Sequence, residues 1–133
     1  MREICFIITK DERILRIYTG SAARVPDSMS RWKAIWTYRY DIREIVHTHP
    51  GGLLRFSKED LTTMEAVESA TGLTYHWSVV TENGYLYRNG LYGEDILVTN
   101  EANAWWIHFL RDLSFRTNNN QITKPTNREV VMT

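Results

Sequence analysis

The sequence predicts a single α/β domain, a mixed β-sheet flanked by helices. Apolar runs of strand length alternate with segments whose apolar residues recur at helical spacing, which is the pattern of a sheet covered by helices. Hairpin signals sit beside that alternation, so the sheet is expected to be mixed. At 133 residues the chain suits one domain. A chain of this size buries roughly two thirds of its unfolded surface with no disulfide or metal as a staple.

Residues 3–9 and 13–18 read as two strands joined by the charged turn at 10–12, a hairpin. Residues 27–38 read as a helix opened by Asp27 or Ser28, with Met29, Trp32, Ile35 and Trp36 at helical spacing. A strand follows at 43–49. Residues 58–70 read as a helix with Leu61, Met64, Val67 and Ala70 as its inner stripe and Gly72 as its stop. Strands at 74–81 and 85–88 flank Glu82-Asn83-Gly84, a hairpin turn. Residues 101–114 read as an amphipathic helix with Trp105, Trp106, Phe109, Leu110 and Leu113 on the apolar side, a stripe read as core. The domain is assigned to residues 1–116; 117–133 is polar and aperiodic and is read as a tail. The chain has no internal repeat.

Sixteen basic and sixteen acidic residues cancel, so no global field favours nucleic acid or an anionic membrane. A single cysteine, Cys5, excludes an intramolecular disulfide framework and suits a reducing compartment. Cys5 itself reads as a buried core residue. No apolar run reaches the length of a membrane span, and Met1-Arg2-Glu3 opens no signal-peptide apolar region. The expected setting is cytoplasmic, in a prokaryote or in the host cell of a virus.

The chemistry concentrates between His47 and Asp60. His47 and His49 follow an apolar pair, Ile45-Val46, at the end of a strand, and side chains at i and i+2 share a face. Two imidazoles projecting into one space suit a borderline metal such as zinc. Pro50-Gly51-Gly52 then turns the chain, and Ser57 and Asp60 follow. Two nitrogen donors and one carboxylate make an open, catalytic type of site, since a structural zinc is normally closed by four ligands, mostly cysteines. Ser57 and Asp60 also fit a capping box, with Phe56 and Leu61 placed for a hydrophobic staple. The capping and metal readings are compatible.

The run His47-x-His49, seven residues, Ser57-x-x-Asp60 resembles the signature of the JAMM/JAB (MPN+) zinc metalloproteases. The resemblance implies an α/β fold of the JAB/MPN kind, zinc held by His47, His49 and Asp60, a fourth position left open, Ser57 stabilising the tetrahedral intermediate, and an upstream glutamate as general base. That glutamate usually opens a strand reading Glu-x-Cys-Gly. Glu3-Ile4-Cys5-Phe6 is similar, so Glu3 is the candidate, with the Phe6 ring expected beside the site in place of the family's glycine. Glu12 lies in a charged run read as a solvated turn. Glu44, three residues before His47 on one strand, should face away from both histidines. His76 and His108 read as surface residues of a strand and a helix.

The expected activity is hydrolysis of a peptide or isopeptide bond in a protein substrate, at the C-terminal tail of a ubiquitin-like or sulfur-carrier-like protein. No long insertion interrupts the motif region, which points to the compact prokaryotic or phage type. Two alternatives belong to other classes. A non-catalytic MPN scaffold would have no use for the intact donors. A RadC-like protein linked to DNA maintenance would carry His-Asn-His-Pro-Ser-Gly, where this chain has His-Thr-His-Pro-Gly-Gly, and the neutral charge offers DNA no footprint.

Overall fold

The computed structural model describes residues 3–19, 29–49, 51 and 53–115. Among these residues six strands form one mixed sheet in the order β2-β1-β3-β4-β5-β6, and three helices cover it. In chain order these are β1 (Ile4–Thr9), β2 (Ile14–Thr19), α1 (Met29–Thr37), β3 (Ile42–Thr48), α2 (Lys58–Thr71), β4 (His76–Val80), β5 (Tyr85–Asn89), β6 (Ile96–Leu97) and α3 (Trp106–Phe115). Among the described strands only β3 and β4 pair in parallel; the other neighbouring pairs are antiparallel. The expected α/β class, with helices flanking a mixed sheet, is what the chain adopts.

Alternation along β1 explains the two-sided core. Cys5 and Ile7 join Ala34 and Ile35 of α1 and Met64 and Val67 of α2 on one face. Ile4, Phe6 and Ile8 join Trp106, Ile107, Leu110 and Leu113 of α3 on the other. A strand buried on both faces reads as a continuous apolar run, as Ile4 to Ile8 does.

The charged turn closes the first hairpin, with Glu12 at φ 64° and exposed, and Arg43 pairs with it at 3.0 Å. The Glu82-Asn83-Gly84 turn closes the second hairpin, where Thr81 N–H donates to the Gly84 carbonyl at 2.9 Å. Gly72 caps α2 in the left-handed conformation, φ 70°, its N–H donating to the Glu68 carbonyl.

Several details depart from the sequence expectations. In α2, Met64 and Val67 are buried, but Ala70 is exposed. Nine residues at about 100° each rotate the helix by half a turn, so Leu61 and Ala70 cannot face the same way. In α1, Ile35 is buried and Trp32 packs partly against the core, but Ala34 completes the stripe, while Met29 and Trp36 are 75% and 52% exposed. Arg39 lies over the outward Trp36 ring, 3.9 Å from its centre. The proposed opening of this helix at Asp27 or Ser28 lies outside the described residues, as does the tail 117–133.

The last helix starts at Trp106, not at 101. Arg111 grips the Glu101 carboxylate with two N–H groups at 2.7 and 2.9 Å, and residues 101–104 form a turn closed by Ala104 N–H on the Glu101 carbonyl. Trp106 is core, as expected, but Trp105 is 46% exposed and donates its indole N–H to the Glu12 carbonyl. Ile107 takes the buried place instead. The two-residue β6 is too short to leave a pattern in the sequence.

Glu44 faces the α3 side, away from the histidines, as alternation requires. It is 3% exposed and accepts hydrogen bonds from Ser78 Oγ at 2.5 Å and Tyr85 OH at 2.6 Å. Burial, and then the Glu44 charge, push the Tyr85 phenol well above its ordinary pKa, so it remains a donor. Tyr85→Phe should cost about 2 kcal/mol in urea denaturation, because a buried charged acceptor loses a partner. A change within experimental error would mean that the bond contributes nothing net.

Candidate metal centre

Three elements meet at one end of the α1–α2 face. β3 brings His47, and His49 follows it directly; the residue preceding β1 is Glu3, and Ser57 caps α2, with Asp60 in its first turn. Cys5 pairs with His47 in the ladder, so Glu3, two residues before Cys5, lies on the face of the histidines.

His47 Nε2 and His49 Nε2 lie 3.0 Å apart. Asp60 Oδ1 is 3.1 Å from His47 Nε2, and Asp60 Oδ2 is 3.1 Å from His49 Nε2. Ligand atoms of Glu3, His47 and His49 lie within 4.8 Å of one another. The structure therefore brings together four of the predicted site residues directly, and Ser57 joins through Asp60. Side-chain exposures of 15%, 14% and 16% for His47, His49 and Asp60 keep the cluster reachable from solvent but poorly screened.

The helix start sets the carboxylate. Ser57 caps α2, its Oγ accepting Asp60 N–H at 3.1 Å, while Asp60 Oδ2 accepts Ser57 N–H at 2.7 Å. This is a complete capping box. Phe56 and Leu61 both reach the core cluster beneath it. The cap uses lone pairs of Ser57 Oγ and leaves its hydroxyl hydrogen to donate.

His49 Nδ1 lies 2.9 Å from the Leu53 carbonyl. A carbonyl only accepts, so Nδ1 carries the proton, and in the neutral ring the lone pair resides on Nε2, aimed at His47 and Asp60. Such a bond on the far nitrogen is the usual means of orienting a metal-ligating histidine.

Burial works against the Asp60 charge, but hydrogen bonds from His47 and His49, the His47 charge and the Ser57 N–H hold the carboxyl well below the usual carboxylate range. For His49 burial lowers the pKa, yet the Asp60 and Leu53 contacts outweigh it and the net direction is up. Cys5 is buried and its thiol is pushed up to about 11 by burial, against the pull of Arg31. That is an inert core thiol rather than a nucleophile.

The side chains gathered here could hold a metal ion such as zinc. Two nitrogen lone pairs and a carboxylate converging on one point repel one another unless a proton or a cation lies among them. Tetrahedral zinc with bonds of about 2.0–2.1 Å spaces its ligands about 3.3 Å apart, close to the edges of this triangle.

Other placements complete the account. Phe6 does not stand beside the site. Alternation turns its ring to the α3 face, 5.7 Å from Phe109. Glu12 stays in its exposed turn, and His76 and His108 lie elsewhere, the first against Tyr87, the second exposed on α3. Sequence reasoning missed the Leu53 carbonyl, a backbone atom that no residue type announces. It also passed over Thr48, between the two histidines, whose Oγ1 accepts Ile4 N–H.

The chain matches no family model and no curated protein.

The pH dependence of the metal-free protein follows from the two shifts. A carboxyl depressed on folding contributes stability that is complete above its unfolded pKa of about 3.9 and is lost as pH falls through the folded value. A histidine raised on folding contributes stability that is complete below about 6.5 and is lost as pH rises through the folded value. The cluster should therefore contribute most between about pH 4 and about pH 6.5. Urea midpoints measured across pH should show that maximum in the wild type and a flatter profile in Asp60→Asn. Superimposable profiles would refute the coupling.

Proposed function

We propose that the chain is a zinc-dependent hydrolase of peptide or isopeptide bonds, with His47, His49 and Asp60 as ligands, Glu3 as general base and Ser57 as oxyanion donor. The observation that carries the reading is the meeting of two imidazole nitrogens and one carboxylate oxygen pair at 3.0–3.1 Å, with a second carboxylate, Glu3, close to both rings. We assign Asp60 as ligand from its direct contacts with both rings, and Glu3, whose ligand atom lies within 4.8 Å of theirs, as the group that handles protons. The resemblance of His47-x-His49, Ser57-x-x-Asp60 to the JAMM/JAB (MPN+) signature points the same way.

When bound, zinc supplies Lewis acidity, which polarises a carbonyl and acidifies water. The chain's own residues do the rest. The Glu3 carboxylate takes a proton from the attacking water and passes it to the leaving amine nitrogen as the carbon–nitrogen bond breaks. Ser57 O–H donates to the carbonyl oxygen as it gains charge. Asp60 holds the negative charge of the ligand set, and the Leu53 carbonyl holds the His49 ring in orientation.

The proposed substrate is the C-terminal tail of a ubiquitin-like or sulfur-carrier-like protein. A cytoplasmic setting accords with a lone, buried cysteine. Among the described residues no helix is long and apolar enough to cross a membrane.

Purified protein should carry about one zinc per chain, and His47→Ala with His49→Ala should abolish binding while the fold persists, since the core does not rest on the metal. Elemental analysis and circular dichroism of the double variant check both halves. Full zinc occupancy in that variant would sink the assignment. Glu3→Gln should retain zinc and lose hydrolysis, because an amide cannot accept the proton. Unchanged turnover in Glu3→Gln would remove Glu3 from the mechanism.

Ser57 separates its two duties by substitution. Ser57→Ala should cost about 1 kcal/mol of stability through the lost cap and lower the rate on the order of a hundredfold through the lost donor. Ser57→Asp should restore the cap but set a negative charge beside the developing oxyanion, so stability should recover and activity should not. Recovery of both would leave Ser57 a capping residue alone.

A further inference from the structure

We infer that Thr48 is a positioning residue whose buried side chain holds Glu3 in place against the two histidines; the inference rests on the hydrolase reading above. Thr48 stands between His47 and His49, so alternation turns it to the opposite, α3 face of the sheet. There it is fully buried, at 0% exposure. Its Oγ1 accepts Ile4 N–H at 2.9 Å, and Ser114 Oγ of α3 lies 3.0 Å from the same oxygen.

The place of that bond gives it its consequence. The β1–β3 ladder runs from Thr9↔Ile42 to Cys5↔His47. Continuing the register sets Ile4 opposite Thr48, and there the threonine hydroxyl takes the amide, while β2 pairs Ile4 on the other side. The N–H concerned belongs to the Glu3–Ile4 peptide, so the bond fixes the peptide plane from which Glu3 departs. Glu3 itself is 8% exposed, and its ligand atom lies within 4.8 Å of those of both histidines. Strand ends open more readily than strand centres. A general base must stay within hydrogen-bond reach of its proton, and an error of about 1 Å can cost on the order of a hundredfold in rate.

One residue thus couples three parts of the site. Its backbone separates the two imidazoles, its hydroxyl pins the peptide carrying the base, and Ser114 links that hydroxyl to α3. The chemistry requires a hydroxyl acceptor on a small side chain: valine matches the shape without accepting, and serine accepts without the methyl group.

The test uses the metal-free full chain, with Thr48→Val, Thr48→Ser and Ser114→Ala beside the wild type. Nuclear magnetic resonance reads amide exchange along β1 and the nuclear Overhauser contacts between Glu3 side-chain protons and the His47 and His49 rings. Thr48→Val should speed exchange of the Ile4 amide about tenfold or more, leave Phe6 and Ile8 protected, and weaken the Glu3–histidine contacts. Thr48→Ser should restore both. If Thr48→Val lowers protection throughout β1, Ser114→Ala decides, with a smaller change of the same kind at Ile4 and Glu3. Wild-type Glu3–histidine contacts in Thr48→Val, or in Ser114→Ala where that variant decides, would overturn the inference. Equal losses in Thr48→Val and Thr48→Ser would also do so. Zinc titration of the same samples keeps the two readings apart. Equal affinity in wild type and Thr48→Val is expected, since no ligand is altered, and failure of the wild type to bind zinc would refute the hydrolase reading on its own.

Discussion

The Asp60 carboxylate is the point on which the site depends, because it closes a helix and a cluster of histidines with the same two oxygens. Oδ2 accepts from Ser57 N–H and faces His49 Nε2; Oδ1 faces His47 Nε2. The start of α2 is therefore not scaffolding beneath the site but a part of it. The first turn of a helix carries unpaired N–H groups and the positive end of its dipole, and both favour a negative charge there. A carboxylate so stabilised remains ionised in a part-buried place, where two imidazoles otherwise face each other across 3.0 Å.

The remainder of the fold serves to deliver β3 and α2 to that meeting point. β3 lies inside the sheet, paired with β1 on one side and β4 on the other, so its end is held from both edges. α2 is tied at its far end by Glu68, whose carboxylate accepts from Tyr75 N–H, the Trp77 indole and Leu91 N–H. With its C-terminus locked to β4 and the segment after β5, and Met64 and Val67 packed on the sheet, the helix has little freedom to carry Asp60 away from the histidines. The opposite face repeats the principle with a different polar group, where Glu44 is enclosed by Ser78 and Tyr85. Leaving a buried charge unpaired costs more than pairing it gains, so both carboxylates discriminate against slipped registers of β3.

Periodicity made the frame legible in the sequence. Alternation placed His47 and His49 on one face and Glu44 on the other, and the capping pattern placed Ser57 and Asp60 at a helix start. Alternation also accounts for Phe6: next to Cys5 in sequence, it lies on the opposite, α3 face of the sheet. Element ends were less legible because they are decided by single distant partners. Arg111 holds Glu101 in the turn that precedes α3, and no local pattern in 101–105 records an arginine ten residues on. The same applies to the Leu53 carbonyl and to Thr48, whose importance lies in which atoms the fold brings to them.

Helix capping and the proposed metal binding are compatible readings of one short motif, because they would use different parts of the same groups. Ser57 Oγ accepts the Asp60 amide through a lone pair and keeps its hydrogen, and Asp60 Oδ2 takes the Ser57 amide while Oδ1 stays turned to His47. Each bond of the cap thus orients an atom of the site without consuming the capacity that the site needs. The cap contributes stability whether or not a metal is bound, and so the carboxylate is held in position in advance. Preorganisation of this kind lowers the cost of assembling charged ligands around an ion, because the ordering has been done by folding. A stable helix start and a poised donor set are, in this chain, one arrangement of five residues.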